Sequence, residues 1–218
     1  MVSFTFDDVP KSAATVGAPM LEEYNGRGTF YVAGALTDQR DQHWAGISPD
    51  EIVELHRRGH EVACHTFSHS RAIDLDWHEM SEEMEKNRRY FLALDPSIKL
   101  ENFAYPYGQG SLPRKRQLSK SFRSSRGIFP DVNSGTVDLH YLRAFPLIER
   151  EIDRDGVDRA FNEAVTKNGW LIFYSHDVEA TPSDYGCSPS LLRYALKAAA
   201  RRDIPIVSVA EALRRAGA

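Results

Sequence analysis

Short apolar runs rich in β-branched and aromatic residues alternate, almost end to end, with segments of helical spacing, and this alternation leaves few folds open. "VSFTF" (2–6), "GTFYVAG" (28–34), "HEVAC" (60–64), "NFAYP" (102–106), a run near 121–125, "YLRAF" (141–145), "WLIFYSH" (170–176) and "IPIVSV" (204–209) read as strands. Helical segments fall near 13–24, 77–94, 113–120, 156–168 and 189–202. Another starts at Ser48-Pro49-Asp50-Glu51, a capping box with Pro at the first helical position, and stops at Gly59. Ser208 and Glu211 are spaced for a second box. Trp77, Met80, Met84, Phe91 and Leu92 make an apolar stripe on one long helix, which predicts a core position for Trp77. Strands joined by helices of about a dozen residues form parallel sheets. The class is therefore α/β, and so many βα units point to a (β/α) barrel of about seven parallel strands, TIM-barrel-like, rather than to an open sheet.

The 218 residues read as a single domain over 1–218, with no linker, repeat or low-complexity segment. A net charge of −4 gives no footprint for nucleic acid, and "PRKRQ" (113–117) reads as a solvated helix face. Two cysteines, Cys64 and Cys187, are too few for a disulfide framework or a cysteine metal site, and Cys64 sits in a strand pattern as a small core residue. No apolar run is long enough for a membrane span. No charged-then-apolar leader precedes the first strand, so the expectation is a cytoplasmic protein, or an extracytoplasmic one whose leader has been removed.

In a parallel barrel the chemistry collects where strands end. The first strand ends in Asp7-Asp8, the third in "HTFSH" with His65 and His69, the fourth in "YPYG" (105–108), and "WLIFYSH" in His176 and Asp177. On an extended chain Asp7 and Asp8 would point to opposite faces, so they cannot serve one partner alike. Two imidazoles and one carboxylate form a mixed N/O triad that leaves coordination positions open, the pattern of a catalytic metal, zinc first. Such an ion polarises a carbonyl and lowers the pKa of bound water. Attack then needs a general base and a general acid; one Asp of the pair suits the first role and His176 the second. The turn at Tyr107-Gly108 can offer a backbone N–H to the developing oxyanion.

"TFDD", "HTFSH", "YPYG" and "YSHD", in this order and spacing, resemble the motifs of the polysaccharide deacetylases, carbohydrate esterase family 4 or the NodB homology domain. The resemblance spans nearly the whole chain. It implies a distorted (β/α) barrel, usually of seven strands, and a hydrolase removing acetyl groups from N-acetylated sugars of a poly- or oligosaccharide. It implies a divalent metal cofactor, zinc before cobalt, nickel or manganese, and a carbohydrate partner. By the same resemblance Asp7 is the base, Asp8, His65 and His69 bind metal, Thr66 shapes their loop, Tyr107 offers its N–H to the oxyanion, and His176 is the acid. Tyr105, Pro106, Tyr107 and Gly108 become substrate-contact candidates.

The chain departs from the family pattern twice. Ala104 stands where the third motif usually carries an Arg that orients the base; Arg126 and Arg143, near other strand ends, are candidates to replace it. The Asp-and-Trp motif that tunes the acid histidine has no clear match, leaving Asp131, Asp138 and Asp153 open. Sugars stack on aromatic faces, which adds Trp44 and Tyr185, and loop 127–138 is expected to border the mouth. Two other readings use the same residues: a metal amidohydrolase or deformylase for a small C–N substrate, and a non-catalytic carbohydrate-binding pseudoenzyme, motivated by Ala104.

Overall fold

The computed structural model describes residues 1–40 and 42–218. Seven strands form one parallel sheet: β1 Val2–Asp7, β2 Thr29–Val32, β3 Glu61–Cys64, β4 Asn102–Ala104, β5 Ser124–Arg126, β6 Phe145–Pro146 and β7 Leu171–Ser175. Their order is β5-β4-β3-β2-β1-β7-β6. The two edges meet, because Leu142, just ahead of β6, bridges Arg126 of β5. Leu142 N–H donates to the Ser125 carbonyl and Gly127 N–H to the Leu142 carbonyl, both at 2.9 Å. The sheet therefore curls into the distorted barrel that the alternation implies. Around it lie α1 Ala18–Glu22, α2 Pro49–Arg57, α3 Trp77–Leu94, α4 Leu112–Leu118, α5 Arg154–Thr166, α6 Pro189–Ala200 and α7 Val209–Ala216. No described helix is long and apolar enough to cross a membrane.

The two faces of the strands differ in chemistry. Phe4 and Phe6 point outward, stack on Phe173 and Phe30, and share a core with Leu21, Phe161, Leu192 and Leu196 of the helices. Each buried side chain of that size contributes about 1.5–3 kcal/mol. The alternate positions face the barrel interior and are largely polar. Low in the barrel, Glu61 accepts from Thr29 Oγ1 (2.8 Å) and Asn102 Nδ2 (2.6 Å), and Asn102 Oδ1 accepts from Ser124 Oγ (2.8 Å). The first turn of α7 closes this belt: Ala210 N–H donates to Glu61 and Val209 N–H to Thr29 Oγ1. Burial is the leading effect on Glu61 and raises its pKa above the usual carboxylate value.

Several expectations are corrected. "IPIVSV" supplies a single bridge, Val2 to Ile206, rather than a strand; Pro205 has no N–H and offers only its carbonyl, to Val2. "YLRAF" shortens to a two-residue strand because Leu139–Tyr141 winds into a turn capped by Asp138. Trp77 is 49% exposed, since it opens α3 at its solvent end under the Lys120 ammonium. Only half of the second capping box forms: Ser208 caps α7, but the Glu211 side chain turns to Arg214 and Arg215. Arg114 in the basic helix is buried and donates to the Leu75 carbonyl and to Gln117.

Candidate active site

A cavity of about 510 Å³ opens at the C-terminal ends of the strands, and Asp7, Asp8, His65, His69, Tyr107, Gly108 and His176 all line it. The adjacent aspartates share it for a backbone reason. Asp8 sits in the left-handed region (φ 59°), so the chain folds back after β1 instead of continuing extended. The opposite-face expectation therefore fails. Val9, Thr66, His69 and Tyr107 also have φ between 54° and 60°. Such conformations cost about 1–3 kcal/mol each and persist only where the surroundings impose them.

The Asp8, His65 and His69 donor atoms lie within 4.8 Å of one another. Asp8 Oδ1 is 3.4 Å from His65 Nε2 and 3.0 Å from His69 Nε2, yet this buried oxygen receives no properly directed hydrogen bond. His65 Nδ1 faces the Ala104 carbonyl at 2.9 Å. A carbonyl only accepts, so Nδ1 carries a proton, and in the neutral ring Nε2 is the nitrogen whose lone pair is free for a metal. Burial opposes charge on both groups, but the Asp8–histidine contacts outweigh it. They hold the Asp8 carboxyl well below the usual range and lift His65 above the usual imidazole value. An orphaned carboxylate oxygen facing two imidazole nitrogens is a donor set for a divalent ion such as zinc, and these residues fit one.

Asp7 has a different partner. The Arg126 guanidinium, fully buried in the barrel, donates to both carboxylate oxygens at 2.5 Å. It lies between the rings of Tyr31 and Tyr174, at 5.1 and 5.4 Å from their centres. Arg126 pairs in register with Ala104 on the adjacent strand. The cation absent at position 104 is thus supplied one strand over. Arg143 is half exposed and pairs with Asp131.

His176 Nε2 is 3.9 Å from Asp8 Oδ2, and its Nδ1 faces the Tyr185 carbonyl at 3.1 Å. Asp131, Asp138 and Asp153 are engaged elsewhere, with Arg143 and Lys167, with Lys115, and with the start of α5. A backbone carbonyl thus orients the imidazole. Buried Asp177 steadies that loop: it accepts from Ser183 N–H (2.8 Å) and Oγ, and Ser183 Oγ accepts from Tyr185 N–H (3.1 Å). The Trp44 ring stacks on His176 (5.6 Å, 26°), and Trp44, Tyr185 and Ile128 of loop 127–138 line the cavity.

Tyr107 is half exposed against His69 (4.7 Å between rings). Tyr105 does not line the cavity. As the alternate residue to inward Ala104 it points outward, packs with Phe103 and Tyr141, and bonds the His140 carbonyl. Pro106 opens the turn, is buried, and is also absent from the lining.

The family model described as "polysaccharide deacetylase" matches residues 1–122. Solved structures of similar fold include a putative polysaccharide deacetylase from Mycobacterium smegmatis (TM-score 0.72, 15% identity, 98% of this chain and 88% of that one). Another is the peptidoglycan deacetylase PdaC from Bacillus subtilis (TM-score 0.64, 20% identity, 97% and 88%). A third is a family 4 carbohydrate esterase from Streptomyces lividans in complex with acetate (TM-score 0.66, 17% identity, 94% and 90%). At these identities the structures establish a shared fold. The family match spans more than half of the chain, and the chain belongs to the polysaccharide deacetylase family.

Proposed function

We propose that this protein is a metal-dependent deacetylase that hydrolyses the acetamido group of N-acetylated sugars in an oligo- or polysaccharide. The observation that carries the reading is the Asp8 oxygen facing His65 and His69 in the same cavity that the Arg126-bound Asp7 and His176 line. A divalent ion held by Asp8, His65 and His69 would supply Lewis-acid polarisation of the acetyl carbonyl and an activated water. Asp7, held by Arg126 and free of the donor set, accepts the proton of the attacking water. The Tyr107 N–H stabilises the developing oxyanion. His176 delivers a proton to the leaving nitrogen, so that the C–N bond breaks to acetate and a free amine. Trp44 and Tyr185 offer aromatic faces to the sugar.

Arg126 removes the main motive for the pseudoenzyme reading, because the base keeps its cationic partner without an Arg at position 104. The test is acetate release, followed by mass spectrometry, from chitooligosaccharides, acetylated xylan and small amides. Expected is release from an N-acetylated oligosaccharide that a chelator abolishes and zinc or cobalt restores. Undiminished activity in metal-free protein would overturn the metal. Turnover of small amides alone would favour the amidohydrolase reading.

A further inference from the structure

Between the two histidines of the donor set, the backbone is held by a side chain from α3, the helix that follows. Thr66 adopts φ 60°, and the next two N–H groups, of Phe67 and Ser68, converge on one oxygen of Glu83 at 3.0 and 2.7 Å. Ser68 Oγ donates to the other oxygen at 3.1 Å. Consecutive N–H groups after a left-handed residue form a concave anion nest, and the Glu83 carboxylate fills it. Glu83 is buried, and among the described residues it has no salt-bridge partner. Three donors from one turn thus stand in for a cation. Asn87, one helical turn further along α3, extends the same polar stripe. It accepts from Gly34 N–H (3.0 Å) and donates to the Val32 carbonyl (2.9 Å) and to Cys64 Sγ (3.3 Å).

We propose that Glu83 is a positioning residue for the metal site: by occupying the 66–68 nest it fixes the turn that sets the separations of His65 and His69 from Asp8. The inference rests on the metal reading above. Two left-handed non-glycine residues, Thr66 and His69, sit in this turn. The Phe67 carbonyl still accepts from Ala35 N–H (3.0 Å), but without an anion in the nest the Phe67 and Ser68 N–H groups lose their common acceptor, and the turn can relax toward ordinary backbone angles. The imidazoles would then lose their preset spacing, and metal binding would have to restore it. Partners behind metal ligands are typically worth about 10–100-fold in metal affinity.

The experiment is calorimetric titration of metal-free protein with zinc, alongside melting temperature. Glu83→Ala should weaken zinc binding about 10–100-fold. Glu83→Gln should stay within about threefold of wild type, because its amide oxygen can still accept both N–H groups while its NH₂ donates to Ser68 Oγ. Ser208→Ala, which removes the cap of α7 at the opposite end of the barrel, should lower the melting temperature and leave zinc affinity unchanged. If Glu83→Ala does not fold, Glu83→Asp, one methylene too short for the nest, should show the same weakening. Wild-type affinity in the folded Ala or Asp variant overturns the proposal, as does equal weakening by Ser208→Ala. If the wild type itself binds no divalent ion, the metal reading fails and this inference fails with it.

Discussion

Replacing Arg126 by Ala tests the claim that the missing cation has moved one strand over. Asp7 is 4% exposed, and Arg126 is its only side-chain hydrogen-bond partner among the described residues. Removing one member of a buried ion pair leaves an uncompensated charge, at a cost of about 3–5 kcal/mol. Arg126 is also among the largest fully buried side chains, so its loss opens a void between Tyr31 and Tyr174. Against a total stability of about 5–15 kcal/mol, the variant stays folded but weakened, with a melting temperature lower by about 6–20 °C. The decisive step is the second substitution. Ala104 is the in-register neighbour of Arg126 and faces the same interior beside Tyr31 and Ala63. Ala104→Arg in the Arg126→Ala background places a guanidinium within reach of Asp7 and refills the void. It should recover at least half of the lost stability and of the lost deacetylation, whereas Ala104→Arg alone overpacks the interior and destabilises. Denaturant unfolding and acetate release measure both. A loss below about 1 kcal/mol in Arg126→Ala, or no recovery in the double variant, would refute the reasoning.

Three further outcomes follow from the same geometry. Asp8→Asn should lose zinc affinity first and activity as a consequence, partly recovered by excess zinc, whereas Asp7→Asn should bind zinc normally and lose turnover; equal loss of zinc by both contradicts the division of labour. His176→Ala should lower turnover by about 10²–10⁴ with metal content unchanged, and a fall in melting temperature with intact turnover would mark the histidine as structural. His60 accepts from Gly28 N–H through Nδ1 (3.0 Å), and burial lowers its pKa below the usual imidazole value despite Glu22 at 2.9 Å. The unfolded chain therefore takes up the proton first, and stability is lost as pH falls through the ordinary histidine range toward the lowered folded value. His60→Asn keeps an acceptor for Gly28 but cannot titrate, so the stability gap between wild type and variant in urea should narrow between about pH 7.5 and 5.5; a constant gap rejects the assignment.

What the sequence revealed and what it hid divide along physical lines. Asp7, Asp8, His65, His69 and His176 were legible because strand ends in a parallel barrel converge, so short motifs far apart in sequence could be placed together before any geometry was known. α3 is legible at its observed bounds because apolar periodicity is local, and the Asp76–Glu79 capping box that starts it is a further local sign. Glu83 and Asn87 are hidden in the sequence because both sit on that helix's buried face, where an apolar stripe dominates the pattern. Their spacing of four was a usable sign, since two polar residues there need partners. Arg126 was only one of two candidates, since choosing it over Arg143 depends on β5 registering with β4, a long-range fact. The outward facing of Tyr105 is not carried by the motif; it follows only from the period of two counted from inward Ala104. The orienting carbonyl of Tyr185 has no sequence signature at all, because every residue has one.

The Asp7–Arg126 pair also bears on why the barrel closes where it does. β1 lies inside the sheet order and β5 at its edge, so the bond between them spans the concave interior rather than two neighbouring strands. The residue that makes it is the same one that Leu142 bridges to bring the two edges together. Arg126 also donates to the Gly127 carbonyl (2.9 Å), while Gly127 N–H donates to Leu142. One guanidinium therefore ties the β5 edge both to the proposed base and to the seam that closes the ring. A buried charge pair is weak evidence for stability in itself, but here its geometry fixes a register: a slip of β5 by one residue would turn Arg126 out of the interior and strand Asp7. The orientation of Asp7 and the closure of the barrel are thus set by the same contact, and a substitution that loosens the seam at Leu142 should disturb Asp7 before it disturbs the Asp8, His65 and His69 donor set.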